Sequence, residues 1–237
     1  MRYRNYIFDL YGTLADIWTD EEDPALWEKT AAWYAARGAD WTGPDLQAAY
    51  LAHCRRWQES RPDPFYEIEL RRVFEELFEE KGVHPEAWLT DKTAVYFRTC
   101  STRKLEVYPW VNGLFERLRA GGARLYLLSN AQACFTRPEL RLLGLADAFD
   151  GIVLSSDAGV RKPDPRIMRK LLEENGLAVL GSVMIGNDRL TDVAVARAVG
   201  MDCLYLETAT SRHDLREPRA DYEILRGWPP DHGIFQV

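Results

Sequence analysis

The sequence is poor in cysteine and histidine and has no long apolar run. Its four cysteines, Cys54, Cys100, Cys134 and Cys203, are scattered, with no C-x-x-C pair. This argues against a disulfide framework or a thiolate metal site and predicts a reduced, cytoplasmic chain whose thiols act as small hydrophobes. The four histidines, His53, His84, His213 and His232, show no paired ligand spacing. No uninterrupted apolar stretch approaches the roughly 20 residues that a bilayer requires, so no membrane partner is expected. The first residues reach Asp9 before any long apolar core, so no signal peptide is expected either. Positive charge is also short. Thirty basic against 37 acidic side chains leave a formal net charge of −7, the wrong balance for a nucleic-acid partner. Repeats and low-complexity segments are missing.

What remains is a globular composition, 46% hydrophobic over 237 residues, enough for a good core. The run Tyr6-Ile7-Phe8 is apolar and β-rich and ends in Asp9-Leu10-Tyr11-Gly12-Thr13-Leu14. That suits a buried parallel strand feeding a loop. The pattern recurs at 125–128, 152–154, 183–185 and 203–206, with Tyr222 to Leu225 as an edge strand. Helical stretches fill the intervals. One is marked by Leu114, Phe115 and Leu118, another by Leu140 and Leu143. A third opens at Asp164-Pro165 and closes at Gly176, and a fourth runs from Thr191 to Val199. Alternating strands and helices predict an α/β fold, a doubly wound parallel sheet.

Residues 15–103 break the rhythm and contain no convincing strand. Leu70, Val73, Phe74, Leu77 and Phe78 form a helical stripe. Trp27, Ala31 and Tyr34 mark an earlier helix, and Ala87 to Thr99 a later one. Six of the eight tryptophans lie in this stretch and are read as its core. The expected division is therefore a core domain of 1–14 and 104–237 and a small all-helical domain of 15–103.

In open parallel sheets, ligands bind beyond the carboxyl ends of the strands. Asp9, Ser129-Asn130, Arg161-Lys162-Pro163 and Asn187-Asp188 with Asp192 all fall there. Asp9 is a carboxylate with Gly12 close behind it, so a loop can wrap backbone N–H groups around an anion. Ser129 can donate to the same anion. Lys162 adds a positive charge and holds Asp9 ionised. Asp188 or Asp192, with Asp9, can hold a small hard cation such as Mg²⁺. Such a site suits a carboxylate nucleophile attacking a phosphoryl group or an activated carbon. Gly12, Thr13 and Asn130 are placed with the substrate-binding residues. Each residue also has a plainer role: Asp9 as a strand-end cap, Ser129-Asn130 as a turn, Lys162 as a solvated loop residue, Asp192 as an acid at a helix start. Arg55 and Arg56 read as solvated helix residues, although either could meet an anionic substrate.

These four motifs, in this order and with a helical insert between the first and second, resemble the haloacid dehalogenase superfamily of hydrolases. The resemblance covers nearly the whole chain. It implies a Rossmann-like core, a helical cap at 15–103 and a covalent aspartyl intermediate on Asp9. Ser129 and Lys162 match the residues that bind and neutralise the transferred group. Phosphatases of that superfamily carry a second Asp two residues after the nucleophile as general acid and base. Here Tyr11 stands there, as in the family's dehalogenases, whose halide leaves without a proton. The fourth motif points the other way, because metal-free dehalogenases tend to have Ser and Asn where this chain has Asp188 and Asp192. Either Asn187 or Asp188 fills its first acidic position. The implied metal set is Asp9, the Tyr11 backbone carbonyl, Asp188 and Asp192, and Tyr11 joins Asp9, Ser129 and Lys162 in the catalytic set. The expected function is a Mg²⁺-dependent phosphatase of small phosphorylated metabolites, a monomer or homodimer. The alternatives are a metal-independent 2-haloacid dehalogenase and a phosphate-binding module with negligible turnover.

Overall fold

A computed structural model describes residues 2–212, 217–225 and 229–235; His213 lies outside them. Its strands are β1 (Asn5–Phe8), β2 (Ala15–Thr19), β3 (Thr102–Val107), β4 (Arg124–Ser129), β5 (Gly151–Leu154), β6 (Ser182–Gly186), β7 (Asp202–Leu206) and β8 (Tyr222–Ile224). Its helices are α1 (Pro24–Ala35), α2 (Gly43–Glu59), α3 (Leu70–Glu79), α4 (Ala87–Ser101), α5 (Val111–Ala120), α6 (Ala133–Leu142), α7 (Ser155–Ala158), α8 (Pro165–Asn175) and α9 (Ala194–Ala198).

Six strands form one sheet in the order β5-β4-β1-β6-β7-β8, and every pairing in it is parallel. The all-apolar strand runs explain this, because a parallel sheet is covered on both faces. In β1 the alternation splits the core. Tyr6 and Phe8 pack with Leu114, Phe115 and Leu118 of α5 on one face. Ile7 packs with Ile167, Met168 and Leu171 of α8 on the other. Helix α8 begins where the Asp164 side chain accepts the Arg166 amide at 2.8 Å and ends at Gly176 in the left-handed region, φ 61°. The mostly parallel sheet with flanking helices matches the expected fold class.

The insert between β2 and β3 holds α1–α4 around a separate core of Leu26, Trp27, Tyr34, Tyr50, Phe74 and Phe97. Phe135 of α6 reaches into it, its ring centroid 6.1 Å from that of Phe74. Trp27 is buried and Trp33, Trp41 and Trp57 pack partly buried around this core, whereas Trp18 and Trp88 are 62% and 59% exposed.

Trp18 and Trp88 thus fall outside the core expected of them, and two further expectations are corrected. The stretch 15–103 is not strandless: β2 lies within it and pairs antiparallel with β3, Ala15 opposite Val107 and Trp18 opposite Lys104. Lys104 Nζ ties the ribbon by donating to Asp16 Oδ2 at 2.6 Å. The ribbon carries the chain out of the sheet and back, so its strands meet across the whole insert and neither shows a buried face of its own. The helix expected from Thr191 starts earlier, as a wide π turn over Arg189–Val193 that runs into α9. Among the described residues no helix is long and apolar enough to cross a membrane.

Candidate active site

The carboxyl ends of β1, β4 and β6, with the loop after α7, converge on one cleft of about 350 Å³. Asp9 leaves β1 at its floor, 6% exposed. Asp9 Oδ1 accepts Lys162 Nζ at 2.7 Å and Ser129 Oγ at 2.9 Å. Among the described residues its Oδ2 has only Thr13 Oγ1, at 3.3 Å, and that hydroxyl also lies 3.2 Å from Asn187 Oδ1. The two carboxylate oxygens therefore differ, one fixed by charge and the other held only by one long contact.

Lys162 is fully buried. Its Nζ donates to Asp9, to Asp192 Oδ1 at 2.6 Å and to the Leu128 carbonyl at 3.0 Å. Burial opposes its charge, but the Asp192 and Asp9 carboxylates outweigh that and hold the ammonium above the usual lysine range. Asp192 shows the opposite balance. Burial pushes its carboxyl up to about 7, Lys162 opposes the shift, and the Asp9 charge adds to it. Within this trio one ammonium faces two buried carboxylates.

Backbone geometry builds this cluster. One residue, Asn130, meets both backbone polar groups of Lys162: the Lys162 amide donates to Asn130 Oδ1 at 2.7 Å, and Asn130 Nδ2 donates to the Lys162 carbonyl at 3.0 Å. Gly12 has φ +81°, and a Cβ there would lie 2.3 Å from Thr210 Oγ1 and 2.5 Å from Asn187 Nδ2. Asp188 turns its Oδ1 to the Leu190 amide at 2.7 Å, capping the π turn, while its own amide donates to Asp192 Oδ2 at 3.0 Å.

Asp9, Tyr11, Gly12, Ser129, Asn130, Lys162, Asp188 and Asp192 all line the cleft; Thr13 sits beneath it, fully buried against Asp9. Tyr11 is set apart from them. Its hydroxyl donates to Glu139 Oε2 and lies 2.9 Å from Thr136 Oγ1. Burial and the Glu139 charge hold this phenol far above its ordinary range. Arg55 and Arg56 stay away from the cleft, and Arg56 pairs with Glu76 at 2.7 Å.

Sequence reasoning missed Ile17, Thr191, Thr210 and Arg212 in the lining. It also missed Gly186, where a Cβ would lie 2.2 Å from Asp192 Cγ. Its place at a strand end inside the fourth motif, Ile185-Gly186-Asn187-Asp188, was the signal of it. Among the described residues no α1–α4 side chain lines the cleft, and no three His, Cys, Asp or Glu side chains form a ready-made metal cluster.

A family model described as haloacid dehalogenase-like hydrolase matches residues 3–200. Phosphoserine phosphatase of Thermus thermophilus is 32% identical over 156 residues, covering 66% of this chain and 60% of that protein. Phosphoglycolate phosphatase of Rhodospirillum rubrum is 37% identical over 127 residues, 52% of each chain. The match thus spans between 52% and 60% of these relatives' own length. A 2-haloacid dehalogenase from Pseudomonas syringae superposes with TM-score 0.65 at 23% identity over 94% of each chain. A phosphatase of the same superfamily from Thermococcus onnurineus gives 0.59 at 22% identity over 93% of each chain. At these identities the structural likeness carries the fold alone.

Proposed function

The chain belongs to the haloacid dehalogenase-like hydrolase family, and on that premise we propose that it is a phosphatase of small phosphorylated metabolites acting through Asp9. The supporting observation is the asymmetry of that carboxylate. Lys162 and Ser129 hold Oδ1, at 2.7 and 2.9 Å, and leave Oδ2 as the attacking atom. Asp9 Oδ2 bonds to phosphorus, the ester P–O bond breaks, and the leaving oxygen takes a proton from water. Water then attacks the phosphoryl-Asp9, releases phosphate and restores the carboxylate. Ser129 and Lys162 hold the transferring group and offset its charge.

Asp9, Asp188 and Asp192 with the Tyr11 carbonyl offer an all-oxygen donor set, beside Lys162 and Arg212 in the same cleft, and oxygen donors suit Mg²⁺. Asp9, the Tyr11 carbonyl, and Asp188 or Asp192 would hold it. When bound, the ion supplies the positive charge that lets a carboxylate approach a phosphoryl group. The helices α1–α4 serve as a cap in this reading, within 15–103, over a core of 1–14 and 104–237. Cys54, Cys100, Cys134 and Cys203 are free thiols, in keeping with a cytoplasmic setting.

The test is phosphate release from 4-nitrophenyl phosphate. Mg²⁺-dependent release that EDTA removes and Asp9→Asn abolishes supports the reading. Full release in EDTA overturns the metal. A second reading, carbon–halogen cleavage, is motivated by Tyr11. Halide release from 2-chloropropionate in EDTA, without phosphatase activity, would replace the first. Phosphate binding with neither activity would leave a binding module.

A further inference from the structure

The segment joining α2 to α3, residues 60–69, does not stand free of the core. Tyr66 makes an antiparallel bridge with Val160, and the Glu67 amide donates to the Gly159 carbonyl at 3.2 Å. Gln132 Nε2 donates to the Ile68 carbonyl at 2.8 Å, and its Oε1 accepts the Leu70 amide at 2.8 Å. Asp63 pairs with Arg166 at 2.6 Å. The most concentrated anchor is Arg161. Its amide donates to the Phe65 carbonyl at 2.9 Å, its Nη1 to Tyr66 O at 3.0 Å and its Nη2 to Pro64 O at 3.0 Å. Three successive carbonyls of the insert are thus gathered by one residue, and the next residue is Lys162.

We propose that Arg161 is a positioning residue, which fixes Lys162 by clamping the 64–66 backbone of the insert onto the core. Lys162 has little room for error. Its ammonium sits 2.7 and 2.6 Å from two carboxylates, one just past the end of β1 and the other in the π turn after β6. Its backbone is held on one side by Asn130. Arg161 supplies the other side, and its carbonyl accepts the Asp164 amide at 3.1 Å, so the clamp passes into the cap of α8. The guanidinium fork suits this task, because its donors are coplanar and splayed, and two carbonyls can be met without a carboxylate. Misplacement of a catalytic group by about 1 Å can cost about 100-fold in rate.

The effect on catalysis rests on the hydrolase reading above; the effect on Lys162 does not. Arg161→Met, Arg161→Lys and Asp63→Ala are compared in the full chain. Asp63→Ala loosens the same segment without touching Arg161, by removing its tie to Arg166 and its own bond from the Phe65 amide at 2.9 Å. The expected result is that Arg161→Met lowers kcat roughly 10- to 100-fold with KM changed much less. Arg161→Lys, which can still reach one carbonyl, restores most of the loss, and Asp63→Ala leaves kcat within about twofold. Equal losses in Arg161→Met and Asp63→Ala, or an unchanged kcat in Arg161→Met, would overturn the proposal. Hydrogen exchange at the Lys162 amide gives a readout without turnover. Faster exchange in Arg161→Met but not in Asp63→Ala supports the clamp. Unchanged protection in Arg161→Met refutes it, whether or not the wild-type chain hydrolyses phosphate.

Discussion

The Tyr11 hydroxyl donates to the carboxylate of Glu139, a residue of α6, and not to Asp9 two positions away in the same loop. Glu139 in turn takes Arg98 Nε of α4 at 2.6 Å, and the Arg98 guanidinium lies 5.7 Å from the Tyr11 ring. The side chain that stands where phosphatases of the superfamily keep an acid is thereby part of a buried contact between the insert and the core.

Tyr11→Phe should therefore act on stability more than on turnover. The substitution removes a hydrogen bond to a buried charge, for an expected loss of about 1–3 kcal/mol. A urea melt checks it, together with 4-nitrophenyl phosphate hydrolysis, where kcat should stay within a few-fold. A drop in kcat of two orders of magnitude would return the phenol to the reacting centre.

The Arg98–Glu139 pair should couple strongly. Its side chains are 14% and 7% exposed, so removing one partner strands a buried charge. Arg98→Met is expected to cost about 3–5 kcal/mol, and Arg98→Met with Glu139→Gln less than the single change. Denaturant melts of the two single variants and the double variant close the cycle. Additive losses would show that the ion pair contributes nothing specific.

Asp192 sets a pH dependence. Its carboxyl rises from 3.8 to about 7 on folding, so in that interval the metal-free native state binds more protons than the unfolded chain. The stability it confers is complete below about 4 and is lost as pH rises towards about 7. Melting temperatures in EDTA should show this decline in the wild type and a flatter profile in Asp192→Asn. If Asp192 holds Mg²⁺ as proposed, the ion competes with that proton and its stabilising effect should grow between pH 5.5 and 8. An Mg²⁺ shift independent of pH would remove Asp192 from the ligand set.

Gly186→Ala tests the close packing under Asp192. The added Cβ would meet Asp192 Cγ at 2.2 Å, so the carboxylate must move off Lys162. The expected cost is about 1–3 kcal/mol, with loss of Mg²⁺-dependent stabilisation. Retention of that stabilisation, followed by thermal melts, would place the ion elsewhere.

Much of this arrangement was written in local pattern. The apolar runs ending in Asp9, Ser129 and Asn187 identify buried parallel strands, and the stripe at Leu70–Phe78 a helix, because each signal lies within a few residues and follows from burial of one face. The motif residues could be listed for the same reason, since strand ends in such sheets share one edge. Other features had no local signature. The β2–β3 ribbon joins strands at opposite ends of the insert. The attachment of Tyr11 to Glu139, and of Arg161 to the 64–66 carbonyls, depends on where α4 and α6 and the α2–α3 segment settle on the core. Sequence alone determined which chemical groups gather at the sheet edge, because period and polarity fix which side chains are buried and where strands stop. Only the tertiary structure decided which partner each group takes, because hydrogen bonds and ion pairs between distant segments depend on angstrom-scale packing that no short stretch of chain encodes.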